Sequence, residues 1–147
     1  MGTPSGISLT QFADLASQEE AGIVVHLDDP VTGEPATYGP DQKPVTITVA
    51  GSYAPRFRDA EAKRLAQWAK QRRAPKGTEV QESQRETVAA CVLAWDGIFD
   101  KPPEDGGTPL PCTPEHVRQL LAVPPIFAQV WEAMHDHERF FGTRSAP

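Results

Sequence analysis

Cysteine is nearly missing from this sequence, with only Cys91 and Cys112 among 147 residues. Two thiols are too few for a disulfide scaffold, so free thiols in a reducing compartment are expected. Long apolar runs are missing too. Nothing approaches the roughly 20 residues that a membrane-spanning helix requires, and Met1-Gly2-Thr3-Pro4-Ser5 has neither the basic nor the apolar stretch of a secretory signal. A soluble, non-exported protein without a membrane segment is the expectation. No Gly-rich phosphate loop and no nucleophile-elbow pattern occurs, which removes the commonest sequence signs of nucleotide and acyl-transfer chemistry.

Proline and glycine, by contrast, are plentiful at fifteen and eleven, and they cluster, so long loops should separate modest elements. Hydrophobic residues make up 39% and charged residues 23%, enough apolar material for a folded core. The length suits one domain, 1–147. The net charge of −6 is unevenly spread. From Arg56 to Lys76, eight basic residues face only Asp59 and Glu61, a local +6 that leaves −12 for the remainder. Such a block suits either phosphate binding or a solvated helix face that balances an acidic protein. The acidic surroundings favour the second, since their field repels phosphate from most other surfaces.

The chain reads as α+β and mostly helical. Ser8 can cap a short helix carrying Leu9, Phe12 and Leu15, which stops near Ala21-Gly22. Ile23–Leu27 reads as a strand, and Asp29-Pro30-Val31-Thr32-Gly33 as a turn. A return strand is expected through Ala36–Tyr38, and Val45–Val49 alternates as a half-buried strand does. Residues 20–51 should therefore form a small antiparallel sheet of two or three strands. It would lean on a C-terminal bundle of about four helices spanning 52–141, followed by a frayed tail, 142–147. Ser52 is a candidate N-cap for a helix over 53–73 with Phe57, Ala60, Leu65, Trp68 and Ala69 as its apolar stripe. Thr78 and Gln81 suggest a capping box opening a helix that runs through Val88, Cys91 and Val92 to Trp95, with Gly97 as its stop. Thr113-Pro114-Glu115 opens a short helix carrying Val117, Leu120 and Leu121. After Pro124-Pro125 a last helix carries Ile126, Phe127, Val130, Trp131 and Met134 towards Phe140-Phe141.

Catalytic and metal signatures are poor, and no catalytic residue, cofactor or metal ligand is assigned. Zinc wants about four converging ligands; Cys112 and His116 straddle a helix start, while His135 and His137 point to different sides of a helix. Cys91 lies on an apolar stripe as a small core residue would, and His26 sits in a strand. The aromatic residues carry more information. Phe127, Trp131, Met134, Phe140 and Phe141 crowd one end of the chain, more apolar surface than a small core needs, and a surplus of this kind marks a partner surface.

Four stretches, in order, resemble the tail assembly chaperones of long-tailed bacteriophages and prophages, over about Glu20 to Phe141. They are Leu27-Asp28-Asp29-Pro30-Val31-Thr32-Gly33-Glu34-Pro35; Ile47-Thr48-Val49-Ala50-Gly51 running through Ser52-Tyr53 into the basic helix; Ala94-Trp95-Asp96-Gly97-Ile98; and Leu110-Pro111-Cys112-Thr113-Pro114-Glu115 with Leu120-Leu121, Pro124-Pro125-Ile126-Phe127 and Phe140-Phe141. Ser52-Tyr53 departs from the Asp-Ser often found in the family. The resemblance implies a non-enzymatic protein of the bacterial host's cytoplasm, absent from the mature virion. Such a protein binds the tape measure protein, keeps it soluble and helps recruit tail tube subunits. Self-association stands as a further expectation. An apolar groove between helices over 114–122 and 125–141 would hold the partner through Phe127, Trp131, Met134, Phe140 and Phe141. The alternative is a small nucleic-acid-binding or regulatory phage protein using the basic helix 56–76.

Overall fold

The computed structural model describes residues 9–71 and 73–140. Ser8, Arg72, Phe141, the tail 142–147 and the side chain of Phe12 lie outside the described residues.

The chain opens with a helical turn, α1 (Leu9–Phe12), and a short helix, α2 (Leu15–Ala21), which ends at Gly22 with φ +88°. The strand β1 (Ile23–His26) follows, then a turn in which Asp29 Oδ1 accepts the N–H groups of Val31 (2.8 Å) and Thr32 (3.1 Å). Those two bonds, Thr32 first, hold the Asp29 carboxyl below its ordinary range. The small hairpin of β2 (Thr37–Tyr38) and β3 (Lys43–Pro44) leads into β4 (Thr46–Val49). Tyr38 donates its hydroxyl to Asp96 at 2.7 Å, and its ring lies where a Cβ at Gly97 would go. Gly97, with φ +87°, therefore serves a turn packed beneath a ring rather than a helix end.

The sheet is a three-stranded antiparallel one in the order β1-β4-β5, and its third strand, β5, is Val92–Asp96. This corrects the expected helix through Trp95. The helix α4 (Gly77–Ala89) ends before Cys91, and the chain turns back so that Ala50 N–H donates to the Cys91 carbonyl at 2.9 Å. Periodicity misled here because a short apolar run fits both periods. The open edge of β4 decides the matter by pairing with a segment that begins at β-branched Val92. Trp95 is fixed by its indole N–H, which donates to the Leu110 carbonyl at 2.8 Å.

One face of the sheet is covered. Val25, Ile47 and Trp95 lie side by side across the strands, and Val25, Ile47 and Val49 are buried with Val88, Cys91, Val117, Leu121, Ile126, Val130 and Met134. Each large aliphatic side chain sealed in this way contributes about 1.5–3 kcal/mol. The other face carries Val24, Thr48 and Ala94, then His26, Thr46 and Asp96, and Val24 stays half-exposed.

Four helices make up most of the rest of the fold: α3 (Pro55–Gln71), α4, α5 (Pro114–Leu121) and α6 (Pro124–Met134). Thr113 caps α5 by accepting the His116 N–H at 3.3 Å, with Pro114 in the first turn. The capping pattern of α4 lies two residues upstream of Thr78 and Gln81, with Glu79 accepting the Lys76 N–H at 3.1 Å. α6 stops at Met134, short of Phe140, and a separate helical turn covers 137–140. No helix of the described residues is long and apolar enough to cross a membrane.

Candidate functional sites

The groove expected between the last two helices is closed by the protein's own core. Met134 is fully buried and Phe140 nearly so, at 4% exposure, so neither is available to a partner. The reason is packing: Val117 and Leu121 of α5 meet Ile126, Val130 and Met134 of α6 in the main core, while Phe140 lies against Gly51, where a Cβ would meet its ring. Phe127 and Trp131 remain half-buried on α6. Their rings stack 5.8 Å apart, and His135 continues the series 4.3 Å beyond Trp131. Of the five candidates, these two keep an accessible surface, and Phe141 is outside the described residues.

A second cluster was invisible in the sequence. Glu19 on α2 is completely buried. One carboxylate oxygen accepts the Tyr53 N–H at 2.9 Å, and the other lies 2.5 Å from His137 Nδ1. His137 Nε2 faces Ser52 Oγ at 3.3 Å, and the Tyr53 ring stacks on the imidazole with centroids 3.6 Å apart. With Nδ1–H donated to Glu19, Nε2 is the acceptor for the Ser52 hydroxyl, the order of a serine–histidine–acid relay. Acyl transfer needs free N–H donors for the oxyanion as well. Here the Ser52 N–H donates to the Met134 carbonyl (3.0 Å), the Tyr53 N–H to Glu19, and the Ala54 N–H to the Gly51 carbonyl (3.0 Å). The amides beside Ser52 are spent, and the cluster works as a tie. It joins α2, the turn after β4 and the turn that follows α6. Ser52 is thus engaged by His137 rather than capping α3, which begins at Pro55.

The third region is the helical hairpin of α3 and α4. Along seventeen residues α3 buries only Phe57. Leu65 is 52% exposed, Ala69 is exposed and Trp68 is half-buried, so the expected apolar stripe is not covered beyond its first turn. Between the two helices lies an open cleft of about 850 Å³. Its α3 wall carries Arg56, Lys63 and Arg64, and its α4 wall carries Glu79, Glu82 and Glu86, with Asp59 and Arg118 as the opposite charges on each side. Many of these are paired. Arg56 binds Glu20 at 2.7 Å, Arg118 binds Glu86 at 2.8 Å, and Arg73 grips both oxygens of Glu79 at 2.9 and 3.1 Å. The Arg73 guanidinium, helped by the Lys76 N–H, holds the Glu79 carboxyl below the usual carboxylate range. Arg64 lies 5.1 Å over the Trp68 ring and 3.7 Å from Glu61.

Histidines and cysteines are dispersed. His116 Nδ1 contacts the Pro111 carbonyl, His135 Nδ1 the Trp131 carbonyl, and His26 is exposed on the open sheet face. Among the described residues no group of three His, Cys, Asp or Glu side chains could hold a metal ion. No family model matches the chain, and neither a curated protein nor a solved structure matches it.

Proposed function

We propose that this protein is a tail assembly chaperone of a long-tailed bacteriophage or prophage. It binds the tape measure protein in the host cytoplasm, keeps it soluble, helps recruit tail tube subunits and leaves before the virion is complete. The observation that carries the reading is α3, a seventeen-residue helix that buries a single side chain and leaves helical surface uncommitted. Short helices without tertiary packing are marginal in water, so such a surface suits a second helix brought by a partner. The four resembling stretches occupy consequential places: the Asp29 turn, the close approach at Gly51, the turn at Gly97 and the Thr113 cap. An extended, apolar, helical client needs its faces covered until the tube encloses it, and repeated weak contacts along its length hold it while each copy stays displaceable.

The nucleic-acid alternative is weakened by the pairing of Arg56, Arg64 and Arg73 with carboxylates and by the acidic wall facing them. Co-expression tests the proposal. A tape measure protein from the same phage or prophage genome should move from the pellet to the soluble fraction when the chain is present. Equal insolubility with and without it contradicts the reading.

A further inference from the structure

The helices α3 and α4 face each other with polar surfaces. The lining positions on α4, Glu79, Glu82, Ser83, Glu86 and Thr87, with Ala90 just past its end, recur at steps of three and four, and those of α3 do the same. A helix pair normally seals such a seam with apolar side chains. This one stays open, with cations on one wall, carboxylates on the other and Trp68 between them. Lys63 and Glu82 form no ion pair across it, and Arg64 Nε is buried without a hydrogen-bond acceptor.

We infer that this cleft is the docking site for one amphipathic helix of a partner protein, acidic along the flank that meets α3 and basic along the flank that meets α4. The charge pattern selects that occupant. The charged residues lining the cleft are four basic (Arg56, Lys63, Arg64, Arg118) and four acidic (Asp59, Glu79, Glu82, Glu86), which cancel overall while the signs stay largely segregated by wall. A polyanion such as DNA meets three carboxylates on α4, and a helix charged with one sign is repelled by one wall. A helix with flanks of both signs satisfies Lys63 and Arg64 on one side and Glu82 on the other. Its apolar ridge covers Trp68, the kind of large, partly desolvated side chain that dominates binding energy. A second copy of this chain fits less well: counting residues 55–89, nine basic and five acidic side chains give each hairpin a net +4, so two of them repel. The inference deepens the chaperone reading and rests on it for the identity of the partner, since it places the contact on the hairpin rather than on the C-terminal rings.

The test uses the full chain and three synthetic helical peptides of equal length sharing one Leu/Ala ridge. One has a Glu flank and a Lys flank, one has Glu on both flanks and one has Lys on both. Titration of the chain into fluorescently labelled peptide, followed by anisotropy, should show saturable binding of the two-sign peptide. Binding should weaken roughly tenfold or more in Trp68→Ala and in Glu82→Lys, whose circular dichroism should match the parent. No saturable shift overturns the inference, as does equal binding of a single-sign peptide or of duplex DNA. A dimer that Trp68→Ala dissociates overturns it too, because it assigns the cleft to a second copy. Co-expression separates this claim from the function. If the tape measure protein is kept soluble by the parent and equally by Trp68→Ala and Glu82→Lys, the docking site is elsewhere and the chaperone reading stands. If the two-sign peptide binds as expected while the parent chain leaves the tape measure protein insoluble, the chaperone reading falls and the docking site stands.

Discussion

Glu19 on α2 ties together the turn after β4 and the turn after α6. A fully buried carboxylate is costly unless its charge is met, and here a backbone N–H and an imidazole meet it. Replacing it leaves the Tyr53 amide and His137 without their acceptor. Glu19→Ala should therefore lower the unfolding free energy by about 2–3 kcal/mol, the cost of leaving hydrogen-bond donors without their acceptor, with Glu19→Gln costing less; urea denaturation of the two variants checks this. Cys91 offers a simpler test. Burial pushes its thiol up to about 12, while Cys112 is exposed. At pH 8 a thiol reagent should label one cysteine readily and the second only after denaturation. A protein in which Cys112→Ser still labels quickly would show that the core around Cys91 opens. Glu19 carried no signal in the sequence, and Ser52 read as an N-cap rather than as the partner of His137. Glu19 and His137 are 118 positions apart, and their partnership depends on how α2 and the turn after α6 are folded together. Cys91 was legible, because a small apolar side chain on an apolar stripe has few other places to go.

Among the elements, those whose reasons are local were readable. The Asp29 turn, the alternating strand β4 and the Thr113-Pro114 opening of α5 depend on side chains bonding to their own neighbourhood or on a strict period. The elements that misled depend on what lies across the fold. β5 is a strand because β4 has an open edge, and the stripe of α3 is uncovered because the core ends near Phe57. The hairpin of α3 and α4 is instead latched at its tip by Arg73 and Glu79. Since the Glu79 carboxyl is held below its ordinary value of 4.5 in the folded state, its contribution is complete above that value and is lost as pH falls through the folded one. Amide protection at the start of α4 should hold at pH 6 and decline below about pH 4, and Arg73→Ala should show the acid-like exchange already at pH 6. Identical exchange in parent and variant would remove the latch from the account.

For the molecule as a whole, the α+β, mostly helical class was readable from pattern, because the change from period two to period three-and-a-half is a property of the sequence, but β5 comes from the segment expected to be helical and completes the sheet. The surface left over was not readable, since surplus apolar residues cannot be sorted into core and interface before the packing is known. Met134 and Phe140 went inside, Phe127 and Trp131 stayed at the boundary, and an open cleft lies between α3 and α4. The molecule thus has a closed core on one side of its sheet and a helical hairpin with an open, charge-lined cleft between its helices. The central claim is that a helical client fills that cleft, and light scattering of the purified complex measures it most directly. If the chaperone proposal holds, co-expression with a tape measure protein from the same phage or prophage genome yields one soluble species containing the tape measure chain and several copies of this protein, stable at moderate salt. Recovery of this protein alone, with the tape measure chain wholly in aggregates, would contradict it.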